Sequence, residues 1–400
     1  MKILVFTTVY PNNIHKQLGI FVKNRMSEAA NHCDLVVVAP VSCFFLNSLM
    51  GPKKKPLPPF VENQEGVTVY HPKFYYIPGL FKFMDGFFLY WSTRRVIRKI
   101  QQAFDFDLID GHFIYPDGFA AVLLGKHFNK PVTITLRGTI NSLVQYPGRK
   151  QAIAYALKKA DQVFSVSRYL ADFAKKHFVI DPNKFVPIPN GVDPEKFRTA
   201  DPGHCRKELN IDPDRKVIVS VGGLVRRKGH HRVLEIIPDL LKRFPDLLYI
   251  IVGGGTVEGN IEDQLKKRIA ELGMQDHVLL AGEVAHDSVH KYLCASDVFV
   301  LATRYEGWAN VFFEAMACGL PVVTTDVCGN REVVRQGETG ILVPFGNQTP
   351  LKQAIMDALD REWNRQDISR YALSRPWEKV GKEVVQNLAA VIENWKNSGR

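Results

Sequence analysis

Short apolar runs recur through the first half of the chain, at residues 3–6, 35–39, 108–109, 132–136, 163–166 and 185–188. They are unbroken rather than alternating, as strands buried on both faces of a parallel sheet require. Segments of helix or loop length separate them, which predicts α/β layering. After an Asp- and Pro-rich stretch at 201–214 the pattern restarts, with apolar runs at 217–221, 247–252, 278–281, 298–301, 321–324 and 340–343. Helical segments such as 261–272 and 311–318 fall between them. The simplest account is two doubly wound α/β domains in tandem, 1–200 and 201–375. A last helix near 378–396 follows the completed second sheet, and the terminal segment 376–400 is expected to fold back on the first domain.

Residues 42–95 interrupt the first pattern. Lys53, Lys54 and Lys55 sit among prolines, followed by Phe74, Tyr75, Tyr76, Phe81, Phe83, Phe87, Phe88, Tyr90 and Trp91, and then by Arg94, Arg95, Arg98 and Lys99. Aromatic bulk beside clustered cations is what contact with an anionic membrane surface needs, and residues 42–99 fit that partner. A core-packing helical insertion with a solvated basic face fits the same residues.

Charge sharpens the division. Residues 1–200 hold 26 Lys+Arg against 14 Asp+Glu and the remainder 26 against 27, so the net +11 lies in the first half. A nucleic acid, an anionic membrane face or a phosphorylated acceptor suits such a half, and so does a merely soluble basic surface. No nucleic-acid motif accompanies the charge, and no nucleic-acid partner is expected. With 46% hydrophobic and 23% charged residues, the composition supports two ordinary cores. The opening Met-Lys-Ile-Leu-Val-Phe is too short for a secretory apolar region, and no apolar stretch is long enough to span a membrane. The six cysteines form no Cys-x-x-Cys pair and are expected to be reduced thiols in a cytoplasmic protein.

The chemistry concentrates just past the predicted strand 298–301, at the end of a strand where ligands bind in open α/β sheets. There Glu306, Gly307, Trp308, Ala309, Asn310 and Val311 lead to Glu314. Asn310 can cap a helix over 311–318, whose free N–H groups suit a diphosphate. Glu314, about one turn in, can accept ribose hydroxyls or simply favour the helix dipole.

Two glutamates separated by seven residues, then Ala-Met-Ala-x-Gly-x-Pro-Val-Val, resemble the signature of glycosyltransferase family 4. Asp107 to Phe113 with Pro116-Asp117-Gly118, Ile188 to Asp193 with Phe197, and Gly329 to Pro344 resemble further stretches of that family in order. The resemblance implies the GT-B fold, two Rossmann-like doubly wound domains with an interdomain cleft. It implies a nucleotide-sugar donor, a UDP-sugar by family frequency, and transfer with retention of configuration.

The resemblance also places residues. Glu306 lies against the donor sugar, Glu314 on the ribose, and Gly307, Trp308, Ala309, Asn310 and Val311 around sugar and phosphate. Lys228 matches the lysine that neutralises the diphosphate. Gly223 stands where the family has an arginine, leaving Arg226 or Arg227 to supply that charge. Arg137 stands where the family has a histidine near the reacting centre, and a guanidinium, which stays protonated, is no general base. It suits a phosphate or an anionic acceptor instead. Gly19 resembles the glycine of the donor-approaching loop after the first strand. His112 and Asp117, following another strand, suit an acceptor-side role, and His112 suits a structural one equally.

Gly253-Gly254-Gly255 lacks the spacing of a dinucleotide fingerprint and reads as a tight turn. The strings Asp105-Phe106-Asp107 and Asp212-Pro213-Asp214 read as solvated or turn positions, so no metal and no cofactor is expected. The expected acceptor is a lipid-linked or other glycan of a bacterial surface polysaccharide. Alternatives are transfer to a soluble small molecule, or a transferase-like binding protein without turnover.

Overall fold

The structure is a computed structural model that describes residues 1–44, 56–76, 81–256 and 258–399; the Lys53–Lys55 cluster lies outside them. It divides into two compact units, Met1–Asn190 with Trp377–Arg400, and Gly191–Pro376.

The first unit contains β1 (Lys2–Phe6), β2 (Asp34–Val38), β3 (Val41–Phe44), β4 (Val61–Gln64), β5 (Val67–Tyr70) and β6 (Lys73–Tyr76). It continues with β7 (Leu108–His112), β8 (Val132–Leu136), β9 (Gln162–Ser165) and β10 (Phe185–Pro187). Eight of these form one sheet in the order β10-β9-β8-β7-β1-β2-β5-β4. All neighbours in it are parallel except β4 against β5. β7 and β8 are buried along their whole length. Burial on both faces is why their residues read as continuous apolar runs.

The segment 42–95 is therefore only partly an insertion. β5 and β4 extend the main sheet, and β3 pairs with β6 in a separate two-stranded sheet. Val61-Glu62-Asn63-Gln64 carries no apolar run because β4 is a half-exposed edge strand. The helix Asp85–Ala103 follows, burying Gly86, Leu89, Thr93, Ile97 and Ile100 along one face.

The terminal helix Trp377–Asn397 joins this unit. Its Val380, Val384, Leu388 and Val391 share a core with Val22, Met26 and Ala29 of the helix Ile20–Ala30. Gly381 lets the helices close: a Cβ there would lie 2.7 Å from the Glu28 backbone carbon.

The second unit holds β11 (Val217–Val221), β12 (Leu248–Val252), β13 (Val278–Gly282), β14 (Val298–Leu301), β15 (Val322–Thr325) and β16 (Gly340–Val343). They form a parallel sheet in the order β13-β12-β11-β14-β15-β16. Apolar cores line both of its faces. The units join at 190/191 rather than at 200, because β10 belongs to the first sheet while Val192 bonds Arg375 within the second unit.

Candidate functional site

Each sheet has a point where successive strands are added in opposite directions, and crevices for ligands open there. In the second unit it lies between β11 and β14. The loops leaving these two strands carry Lys228 and Glu306, and they meet. Lys228 Nζ stands 2.8 Å and Arg227 Nη1 3.1 Å from Glu306 Oε1, which also accepts from Thr303 Oγ1 at 3.1 Å. Glu306 is only 7% exposed. Burial works against its charge, but Lys228 and Arg227 outweigh burial and hold the carboxyl below its usual range. Arg227 is itself held by Glu258, at 2.9 Å through Nε and 2.9 Å through Nη2, and stacks over Tyr305.

Close backbone approach makes this meeting possible. Gly229, at φ 82°, precedes the helix His230–Leu234, and a Cβ on it would fall 2.0 Å from the Ala302 carbonyl oxygen after β14. Gly253 ends β12 at φ 145°, and its Cβ would fall 2.1 Å from the Gly222 oxygen. A side chain at either position would push the loops apart.

Arg226 and Arg227, equivalent by sequence, part company here. Arg227 joins Glu306, whereas Arg226 turns to Gln264 Oε1 at 3.1 Å. At Gly223 a Cβ would meet the side-chain methyl Cγ2 of Thr256 at 2.4 Å, so a longer residue there would have to displace Thr256.

Beyond Glu306 the loop runs through Gly307, Trp308 and Ala309 into the helix Asn310–Ala317. Asn310 is its first helical residue rather than its cap; Ala309 takes the cap position, and no side chain caps the helix there. The expected start at Val311 is thus one residue late, since the extended backbone of Ala309 ends the loop. Among the described residues no side chain caps this first turn, where Phe312 N donates to the Ala309 carbonyl at 3.0 Å. Trp308 packs on Phe313 with ring centroids 5.4 Å apart, and its buried indole N–H has no hydrogen-bond partner. Val311 is half-buried one residue into the helix. Glu314 lies one turn in, with Oε1 3.4 Å from His286 Nε2. Burial lowers the affinity of His286 for its proton, but Glu314 more than restores it, so the imidazole is raised above its ordinary value.

In the first unit the equivalent point lies between β1 and β7. Gly19, at φ 69°, precedes the helix Ile20–Ala30 with its α-carbon tight against the Val9 carbonyl. At the ends of β7 and β8 a buried polar chain forms. Arg137 Nη2 donates to His112 Nδ1 at 3.3 Å, leaving His112 Nε2 to face Asp110 Oδ2 at 3.2 Å. Asp110 Oδ1 accepts from Thr133 Oγ1 at 2.7 Å. Arg137 lies over the rings of Phe21 and Phe113, 4.6 and 5.7 Å from their centroids. Arg25, fully buried, reaches the Ile188 carbonyl at 3.3 Å and adds a second cation beside the chain. Burial and Arg25 together pull the Arg137 guanidinium well down from its usual range. Burial likewise lowers His112, whereas His112 offsets burial at Asp110 and keeps that carboxyl low.

His112 and Asp117 point inward. His112 is 0% exposed, and both ring nitrogens face Arg137 and Asp110, so it orients the arginine. Asp117 is 1% exposed and accepts from Thr8 N at 2.5 Å and Thr8 Oγ1 at 3.2 Å, tying down the loop after β1. Burial raises its carboxyl to about 7.

The aromatic stretch is exposed in part. Phe81, Phe83, Phe87 and Trp91 are 42 to 56% exposed at the start of the helix Asp85–Ala103 or just before it. Arg94 stacks on Trp91 at 3.5 Å, and Arg149 covers the exposed Tyr146 at 4.7 Å. Among the described residues no helix is long and apolar enough to cross a membrane.

The Asp-x-Asp strings do not converge on a site. Asp105 pairs with Lys130, Asp107 accepts from Lys2 N, and Asp212 from Asp214 N. Residues that the sequence did not single out complete both clusters: Arg25, Glu258, His286 and Thr303. Arg25 had one local signal, a charge on the apolar face of Ile20–Ala30 beside Val22, Met26 and Ala29. Glu258 and His286 act on partners far along the chain, while Thr303 sits three residues before its partner Glu306, and nothing local marks any of the three.

Comparison with known proteins covers both halves. Residues 49–196 match the family described as Glycosyltransferase Family 4, and residues 204–375 that described as Glycosyl transferases group 1. A putative teichuronic acid biosynthesis glycosyltransferase, TuaC of Bacillus subtilis (strain 168), is 28% identical over 407 residues, covering 100% of this chain and 96% of that one. Among solved structures, Anabaena HepE in complex with UDP superposes with a TM-score of 0.75 at 18% identity, covering 98% of this chain and 100% of that one. Sucrose-phosphate synthase from Thermosynechococcus elongatus gives a TM-score of 0.74 at 22% identity, covering 100% and 98%. At such identities the structural likeness establishes the GT-B fold.

Proposed function

Taking a glycosyltransferase of the GT-B fold as the premise, we propose that this chain transfers a sugar from a nucleotide-sugar, a UDP-sugar, to a lipid-linked or other glycan of a bacterial surface polysaccharide, with retention of configuration. The observation that carries the reading is the convergence of Lys228 and Arg227 on Glu306 where the second sheet reverses. As the donor binds, its diphosphate takes the place that the Glu306 carboxylate holds beside the two cations. Glu306 is then released towards the sugar, and Lys228 and Arg227 stabilise the leaving diphosphate without a metal. Glu314, with His286 behind it, takes the ribose hydroxyls. Gly307 to Val311 line sugar and phosphate with backbone donors.

In the first unit Arg137 is the group suited to an anionic acceptor. Its buried Nε–H has no hydrogen-bond partner among the described residues, and an anion relieves its repulsion with Arg25. Retention follows if the leaving phosphate oxygen takes the acceptor proton, since no histidine stands at this position to act as base. The likeness to the teichuronic acid transferase supports a surface glycan as acceptor. The exposed Phe81, Phe83, Phe87 and Trp91 beside Arg94 support an enzyme working on an anionic membrane face, where lipid-linked acceptors reside.

Thermal shift across a panel of nucleotide-sugars identifies the donor, which should stabilise the chain in proportion to its occupancy. Transfer or hydrolysis of that donor should then vanish in Glu306→Ala. Stabilisation by no nucleotide-sugar would overturn the reading. Indifference to anionic liposomes, with transfer only to soluble acceptors, would overturn its membrane part.

A further inference from the structure

Behind Glu314, on the side away from Lys228 in sequence, the second unit gathers a different set of side chains. His290 and Cys294 are one turn apart on the helix His286–Cys294, so they share a face. Cys318 ends the helix Asn310–Ala317 and comes to the same point. His290 Nε2 is 3.3 Å from Cys294 Sγ, and the three ligand atoms, including Cys318 Sγ, all lie within 4.8 Å of one another. The Arg198 carbonyl oxygen stands 3.0 Å from His290 Nε2 and 3.5 Å from Cys294 Sγ.

The bland account is that these thiols are small apolar groups in the core, where Cys294 and Cys318 are indeed 2% and 5% exposed. It leaves two things without a reason: an imidazole nitrogen set against a core sulfur, and a carbonyl oxygen turned to both. Tetrahedral zinc, with Zn–S near 2.3 Å and Zn–N near 2.0–2.1 Å, needs N···S separations of roughly 3.5 Å and S···S separations of roughly 3.8 Å. His290 and Cys294 stand at about that spacing, and no pair in the trio is more than 4.8 Å apart. We propose that His290, Cys294 and Cys318 form a structural site for a thiophilic divalent cation, zinc above all.

Two thiolates and an imidazole are the ligand set that zinc prefers over the oxygen ligands of magnesium or calcium. Binding releases two protons, one from each thiol, and the proton that His290 Nε2 gives to the Arg198 carbonyl shifts to Nδ1 by way of solvent, freeing Nε2 for the metal. Water takes the fourth position from the half-exposed His290 side. Cys205, hydrogen-bonded to Cys294, lies outside the mutually close trio.

The site has a mechanical consequence. The two helices touch on two rungs, four residues apart on each: His286 with Glu314, then His290 and Cys294 with Cys318. A metal on the second rung fixes the spacing at which the first presents Glu314. This is a clamp behind the proposed donor pocket, and its test does not depend on transferase activity.

The full chain, reduced and stripped with a chelator, is titrated with Co²⁺ and Zn²⁺. The expected result is one equivalent of Co²⁺ with thiolate charge-transfer bands and the strong visible bands of tetrahedral cobalt, displaced by Zn²⁺. Zinc should raise the melting temperature. His290→Ala, at a half-exposed position that the core does not need, and Cys318→Ser should each weaken binding by more than the roughly 100-fold lost with an outer-shell partner. Cys33→Ser, in the other unit, should leave it unchanged. Absence of the thiolate bands in the wild type would overturn the proposal, as would bands that persist in both His290→Ala and Cys318→Ser.

Discussion

The two sheets reverse at equivalent places, but the loops leaving those places carry different charge balances. In the second unit two cations, Arg227 and Lys228, face two carboxylates, Glu258 and Glu306. In the first, two buried arginines, Arg25 and Arg137, lie near the buried carboxylate of Asp110. The first arrangement is neutral at rest and accepts an anion only by displacing one of its own. The second keeps two guanidinium groups under cover, that of Arg137 stacked on Phe21 and Phe113. In the function proposed above, the first serves as an exchangeable site for the donor diphosphate and the second meets an anionic acceptor.

The largest expected effect breaks the balanced site. Glu306→Ala should lower turnover by on the order of 10³-fold, in line with loss of a group that acts on developing charge. Melting temperature should fall, because Lys228 and Arg227 both lose the buried carboxylate that offsets their charge.

A smaller effect is expected at the buried arginine pair. Arg137→Leu should lower kcat/KM for the acceptor by on the order of 100-fold while KM for the donor is unchanged. Because it removes one of two repelling buried cations, it should leave the melting temperature unchanged or higher. A fall in both acceptor use and stability would mean that Arg137 is simply a core residue.

The smallest effect concerns pH. Asp117 is raised by burial to about 7, above the roughly 3.9 of an unfolded aspartate. The folded state therefore holds its proton more tightly, so this contribution to stability is full below the unfolded value and is lost as pH rises through about 7. Asp117→Asn, which can still accept from Thr8, should flatten the decline in melting temperature across that window. A wild type and variant that decline in parallel would show that Asp117 is already charged in the fold.

Legibility in the sequence followed burial. β11, β14 and β16 coincide with the apolar runs because both faces of their sheet are covered. β3, β4, β5 and β6 escaped notice: they are short, and β4 and β6 place charged or polar residues at exposed positions. In the site, Glu306, Glu314 and Lys228 were legible through their spacing and the family resemblance. The choice between Arg226 and Arg227 was not, since it depends on which side of the loop Gln264 and Glu258 occupy. Nor was the inward turn of His112, which follows from Asp110 two residues earlier on the same fully buried strand.

The central claim is that the diphosphate of the donor takes the place of the Glu306 carboxylate beside Lys228 and Arg227. Calorimetric titration of UDP into wild type, Lys228→Ala and Glu306→Gln tests it most directly. The account predicts opposite signs. Lys228→Ala should bind UDP about 10- to 100-fold more weakly, the worth of a charge-assisted hydrogen bond. Glu306→Gln, freed of the competing anion, should bind it more tightly than wild type although it no longer transfers sugar. Equal UDP affinity in all three proteins would contradict the claim.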